Sequence, residues 1–385
     1  VVLLGLTGIV TGILNAYDQF TVPALTPVAW NLAIVVGLLL GVPAADGASA
    51  ELYVYAAAVL GATLVQLLLP LPWLRGLDGR LRVVCDWRDP LVRRFFALML
   101  PVTLTLGLVN VNAVVDTLFA SRLIDAELAP AAIDKAFRLY MLPQGMFSVA
   151  VATVLFPLLS RLAVRDELGE FRRTVDVGLR QIGFLLIPAS CVVAVLAEPI
   201  VRLVYERGAF GAADTPVVAG ALAAFSLGLV FNGWLLMLTR AFYSLQSNWI
   251  PTSVALGTVG LNALLDAVLY RLGVWGIPLA TSLVNVAGVA VLLVALRRRV
   301  GIEPASRTAG SILRIVGAAA LAAGAAFLVW LGLDELAGQG LGGQLVAVGT
   351  ALALAASVYL AAARALRVRE LDALLTLRRG RSDAR

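Results

Sequence analysis

Asn262 and Asp266 stand four residues apart in an apolar run, so a helix carrying them stacks an amide and a carboxylate on one face. Asp116 and Thr281 lie in two other apolar runs. Two carboxylates, an amide and a hydroxyl would together make an all-oxygen site for a hard cation such as Na⁺, or a proton site. The competing reading is that Asp116 and Asp266 sit near an aqueous interface as hydrated interhelical glue. A second group, "KAFRLYMLPQGMF" (135–147), sets Lys135, the one lysine in the chain, and Arg138 just ahead of Pro143. A planar guanidinium with five donors suits a phosphate, although a long side chain near a membrane edge can also snorkel to water. Pro143 cannot donate to the Leu139 carbonyl, so the helix is expected to kink or loosen beside the charge. Asn110 and Asn112 read first as glue, with Asn112 kept beside Lys135 and Arg138 as a candidate substrate contact.

These groups are costly because of what surrounds them. Apolar residues make up 61% of the 385 and charged residues 14%, with a mean hydropathy of +0.93; a soluble domain carries roughly 25% charged residues. The apolar residues come in blocks of the roughly 20 needed to cross the ~30 Å hydrocarbon core. Eleven such blocks are expected, at about 1–17, 23–43, 51–72, 95–119, 132–159, 178–200, 216–239, 249–271, 274–296, 310–332 and 341–363. The fold class is therefore an all-α polytopic membrane protein. A charge inside a span costs about 2.5–3.5 kcal/mol on insertion scales, which makes each one a functional candidate. Histidine is absent, and the two cysteines, Cys85 and Cys191, are far apart. Zinc, haem and disulfide frameworks are thereby excluded, as are histidine triads. The net charge of +6 comes without basic stripes interleaved with aromatics, so nucleic acid is not expected as a partner. The chain opens at Val1 inside an apolar run, and we read it as a fragment whose N-terminal part is missing.

Arginine placement orients the bundle. Segment 73–94 carries six arginines, 160–180 five, 297–314 five and the tail from Arg364 seven; with Arg240 they hold 24 of the 30 basic residues. All fall on one side if the spans alternate, and the opposite loops carry acids such as Asp46, Glu51, Asp125, Glu127, Asp334 and Glu335. This is the positive-inside pattern, which puts the C-terminus in the cytoplasm and the start of the first span outside. At ~1.5 Å per residue, Asp116, Asp266 and Thr281 then share one level, within roughly 6 Å, in the outer half of the membrane. Segment 161–175 spaces Leu162, Leu168, Phe171 and Val175 along one helical face. It reads either as a helix lying on the anionic inner leaflet or as a solvated linker.

"KAFRLYMLPQGMFSVAVATVLFPLLSR" (135–161), "LAEPIVRLVYERGAFGAADT" (196–215), "VVDTLFAS" (114–121) and "GIVTGILNAYDQFTVPALTPVAWNLAIV" (8–35) resemble the MurJ/MviN family of lipid II flippases. That family belongs to the multidrug/oligosaccharidyl-lipid/polysaccharide exporter superfamily. The resemblance implies a MATE-like two-lobe bundle lacking its first three helices, plus two extra C-terminal helices. The division expected is 1–72 for the rest of the N-lobe, 73–94 for a cytoplasmic linker and 95–296 for the C-lobe. A cytoplasmic loop at 297–309, the extra pair at 310–363 and a basic tail at 364–385 follow. It further implies a non-enzymatic, multi-pass protein of the bacterial plasma membrane that flips lipid II outward by alternating access. Arg138 matches the family's headgroup arginine, with Lys135 and Asn112 near it; Asp116, Asn262, Asp266 and Thr281 resemble its sodium site, Ser282 competing for the last place. Na⁺ is the implied coupling ion and no other cofactor is expected. Lipid II, membrane lipids and cell-wall synthesis or division proteins are the implied partners of a monomer. The groove between the last two spans would hold the prenyl tail. The acid that often follows the family's arginine by one turn is replaced here by Met141 or Leu142. Alternatives are an exporter of another polyprenyl-linked saccharide or a drug, a membrane-embedded transferase, and a non-transporting scaffold.

Overall fold

The computed structural model describes residues 2–366 and 368, apart from 18, 46, 75–87, 209, 302–305 and 339. Among these residues all regular structure is helical, as expected where lipid cannot satisfy a backbone group. Among the described residues, ten helical segments are long and apolar enough to cross a membrane. The first of the eleven expected spans corresponds to a shorter apolar helix, Val2–Asn15.

The chain forms two compact units, Val1–Asp86 and Trp87–Arg385. The first contains α1 (Val2–Ala16), α2 (Thr21–Gly41) and α3 (Ala48–Leu68). Helices α2 and α3 pack closely where small residues meet: a Cβ on Gly37 would lie 2.8 Å from that of Ala58. Polar groups in this unit are satisfied locally. Thr7 and Thr63 donate to carbonyls four residues back, and Trp30 donates to Thr63 at 3.3 Å. Leu25, Leu32, Leu39, Leu52 and Leu60 remain exposed, which suits helices solvated by lipid.

The second unit begins with α4 (Pro90–Leu123), α5 (Leu128–Gln144), a π turn (Gly145–Val149) and α6 (Ala150–Val164). It continues through α7 (Leu168–Val195), the short α8 (Ala197–Tyr205), α9 (Thr215–Ser244), α10 (Trp249–Leu269), α11 (Gly276–Val300), α12 (Ser306–Ala337) and α13 (Leu341–Ala365). Helix α9 is the central element, packed against α5, α7, α8 and α11. Small residues let these neighbours approach: Gly228 meets the Ser282 backbone on α11, and Gly233 meets Ser148, Ile182 and Leu186. The turn before Pro143, where loosening is expected, stays α-helical, and a π turn begins two residues beyond it at Gly145. Helix α11 ends at Gly301, whose φ of 69° is the left-handed stop, with Arg297, Arg298 and Arg299 opposite the negative end of the helix dipole.

Helices α12 and α13 pack on each other through alanines, among them Ala323, Ala326, Ala351 and Ala355, and α12 also packs on α7. Two polar clasps hold this pair to the bundle. Tyr359 donates to the Phe184 carbonyl at 2.6 Å, and Arg202 of α8 pairs with Asp334 of α12.

One expectation requires correction. The 161–175 segment is neither a surface helix on the leaflet nor a solvated linker. It is broken at Asp166, whose φ is 56°, and divided between the end of α6 and the start of α7. Leu162, Phe171 and Val175 are buried in the core of the second unit. The pattern reported one apolar face correctly, but protein covers it. Most of the 73–94 linker and of the basic tail, at 75–87 and 369–385, lies outside the described residues. Residues 90–94 are already helical, forming the first turn of α4.

Candidate functional site

Helices α4 and α10 face each other along a polar seam that fixes their register. Toward one end, Arg94 donates to Gln246 at 3.2 Å and Asn248 donates to the Leu98 carbonyl at 3.1 Å. Pro101 interrupts α4, and the Thr252 hydroxyl lies 2.9 Å both from its carbonyl and from the Thr105 hydroxyl. Four turns further along α4 the same seam brings Asp116 against Asn262 and Asp266.

Asn262 directs both amide hydrogens at carboxylates, reaching Asp116 Oδ1 at 2.5 Å and Asp266 Oδ2 at 3.0 Å. Asn112, one turn before Asp116, comes within 3.4 Å of it and so lies with the carboxylates. Asn110 turns away and donates to the Leu106 carbonyl of its own helix. Thr281, carried by α11, donates to the Ile277 carbonyl of its own helix at 3.4 Å and neighbours Asp116, as does Asp266. Ser282 points elsewhere: its hydroxyl donates to the Ala224 carbonyl on α9 at 2.7 Å. Both Asn262 and Asp266 are 0% exposed, and each keeps a buried Oδ1 that accepts no hydrogen bond. Buried acceptors without donors are expensive, and two touching carboxylates repel unless a proton or a cation joins them. The donor set, all oxygen with two carboxylates, fits a hard monovalent cation or a shared proton.

The basic group is built on α5. Ala129, Ala132, Ala136, Leu139 and Tyr140 are buried on the side toward α9, where Tyr140 stacks near Phe225 with ring centroids 5.3 Å apart. Arg138 emerges away from that buried stripe, its side chain 71% exposed, and its Nε donates to Asp134 Oδ2 at 2.8 Å. Lys135 is held differently. Its ammonium lies 5.7 Å from the centroid of the Phe210 ring, and its carbonyl accepts from Tyr205 at 3.2 Å. Burial raises the Tyr205 phenol above its ordinary pKa; the nearby Arg138 charge opposes that shift and Asp134 adds to it. The conspicuous 196–215 stretch therefore supplies two supports, Tyr205 and Phe210, for the turn that carries Lys135 and Arg138. Asp134 is a site residue that sequence reasoning overlooked, although its spacing of four from Arg138 was there to be read.

A family model described as lipid II flippase MurJ matches residues 1–338, through every span up to α12. The chain belongs to this family. A probable lipid II flippase MurJ from Synechocystis is 31% identical over 327 residues, covering 83% of this chain and 61% of the relative. The lipid II flippase MurJ of Burkholderia cenocepacia is 30% identical, covering 84% of this chain and 63% of its own length. The chain thus spans just over three-fifths of these MurJ relatives. A solved structure of a lipid II flippase MurJ in an inward closed conformation superposes with a TM-score of 0.70 at 24% identity, over 94% of this chain and 72% of that one. That likeness establishes the polytopic MurJ fold.

Proposed function

We propose that the complete protein carries lipid II from the inner to the outer leaflet of the bacterial plasma membrane, as a transporter and not as an enzyme. The observation that carries this reading is the MurJ family match across residues 1–338, joined to an exposed arginine, Arg138, on a predominantly apolar span. The headgroup would cross by alternating access while the prenyl tail stays in lipid. Arg138 would bind the pyrophosphate through charge-assisted hydrogen bonds, with Lys135 adding positive charge one turn away. Asn112, expected as a headgroup contact, would here join the cation cluster, given its approach to Asp116.

Asp116, Asn262, Asp266 and Thr281 would hold Na⁺, for which the two orphaned buried oxygens argue. Occupancy would bias the second unit between its states by no more than the ion's differential affinity for them. The arginine-rich ends, including the C-terminal tail, would face the cytoplasm. The test is complementation of a strain deprived of lipid II flipping. The wild-type complete protein should restore growth and Arg138→Ala should not; restored growth with Arg138→Ala would remove the headgroup role.

A further inference from the structure

The Arg138–Asp134 pair has a geometry that a simple anion site would not need. Asp134 Oδ2 accepts from Nε at 2.8 Å. Nε is one of the two donors on the side-on edge of a guanidinium, the fork that makes bidentate pairs with oxyanions. An oxyanion that engages this fork must take the place of Asp134. Both side chains are largely exposed, at 71% and 58%, so packing does not lock either in place. The backbone beneath them is tied independently by the Tyr205 bond to the Lys135 carbonyl, while Phe210 lies against the Lys135 ammonium.

We propose that Asp134 is an internal competitor for Arg138, a release residue that keeps the polyprenyl-pyrophosphate headgroup from binding too tightly to be let go. The inference rests on the reading of Arg138 as the headgroup ligand. A carrier must bind its cargo well enough to load and weakly enough to unload, as any conducting site must. With Asp134 in place the turn 134–138 carries one net positive charge; without it, two. At the high effective dielectric of the water-filled cavity that the headgroup reading requires, one unit charge a few ångströms from a pyrophosphate alters affinity by about tenfold. Asp134 thereby trades affinity for turnover, and the carboxylate closes back onto Nε as the headgroup leaves.

A positioning role would predict the opposite sign, since losing the acid would misplace the guanidinium and weaken binding. The two are separated by measuring farnesyl pyrophosphate binding and lipid II transport with the complete protein, in nanodiscs and proteoliposomes respectively. Asp134→Asn keeps shape and a hydrogen-bond acceptor while removing charge. It is expected to tighten farnesyl pyrophosphate binding about tenfold and to lower both kcat and KM for transport. Asp134→Ala is expected to tighten as well, and Asp134→Glu to return both parameters toward wild type. In an Arg138→Ala background the Asn substitution should no longer tighten binding, the signature of coupling between the pair. Unchanged or weakened binding in Asp134→Asn, with binding lost in Arg138→Ala, would overturn the release role and leave the headgroup reading intact. Full binding in Arg138→Ala would overturn both.

Discussion

Asn262 is the residue on which the acidic cluster turns, because a single amide holds carboxylates from two different helices. Sequence spacing made half of this legible. The four-residue interval put Asn262 and Asp266 on one face, and counting inward from the outer ends of the spans put Asp116 and Thr281 at the same level. The choice between Thr281 and Ser282 was not legible, since adjacent helical residues differ by about 100° in direction and only the α9–α11 contact decides it. Ser282 is taken by the Ala224 carbonyl on α9, whereas Thr281, bonded within its own helix, neighbours Asp116. If the cluster binds Na⁺, folded protein is favoured by mass action as the ion is added. Thermal unfolding in detergent should then move upward when NaCl replaces choline chloride at equal ionic strength, by a few degrees at saturating ion. Asp266→Asn should abolish that difference. An equal upward shift in the variant would remove Asp266 from the ion site.

At the scale of the elements, most spans were legible because hydrophobic blocks of the required length are hard to mistake. What covers each apolar face was not legible. The 161–175 pattern is the clear example: Phe171 and Val175 mark one side of a helix equally well whether lipid or protein lies against it. Close helix contacts are also invisible until glycines are seen in place. Gly228 is the sharpest of these, since a Cβ there would stand 2.7 Å from the Ser282 Cα. Backbone must move to admit it, so Gly228→Ala should destabilise by about 1–3 kcal/mol, the usual cost of overpacking. Gly220 on the same helix offers the control, its nearest obstacle being the Trp275 Cβ at 3.8 Å. Gly220→Ala should be neutral or slightly stabilising by helix propensity. A melting comparison checks both; equal midpoints for the two variants would mean that the α9–α11 approach is not tight.

The whole molecule is read through its charge asymmetry, which the sequence displayed before any helix was placed in space. Arg298, at the end of α11, and Glu127, just before α5, should lie on opposite sides of the membrane. With the two native cysteines replaced by serine, Arg298→Cys should react with a membrane-impermeant maleimide only after permeabilisation, and Glu127→Cys in intact cells. Reaction of both in intact cells would contradict the orientation. The chain covers 61–63% of the length of the two relatives described, and a flippase works as a complete carrier. The proposed grip of Arg138 on the pyrophosphate of lipid II therefore has to be measured on the complete protein. Reconstituted in proteoliposomes, wild type should expose labelled lipid II on the opposite leaflet at a rate that Arg138→Ala lowers by at least about tenfold, the loss expected for one charge-assisted hydrogen-bonding group. Transport by Arg138→Ala at the wild-type rate would contradict the account.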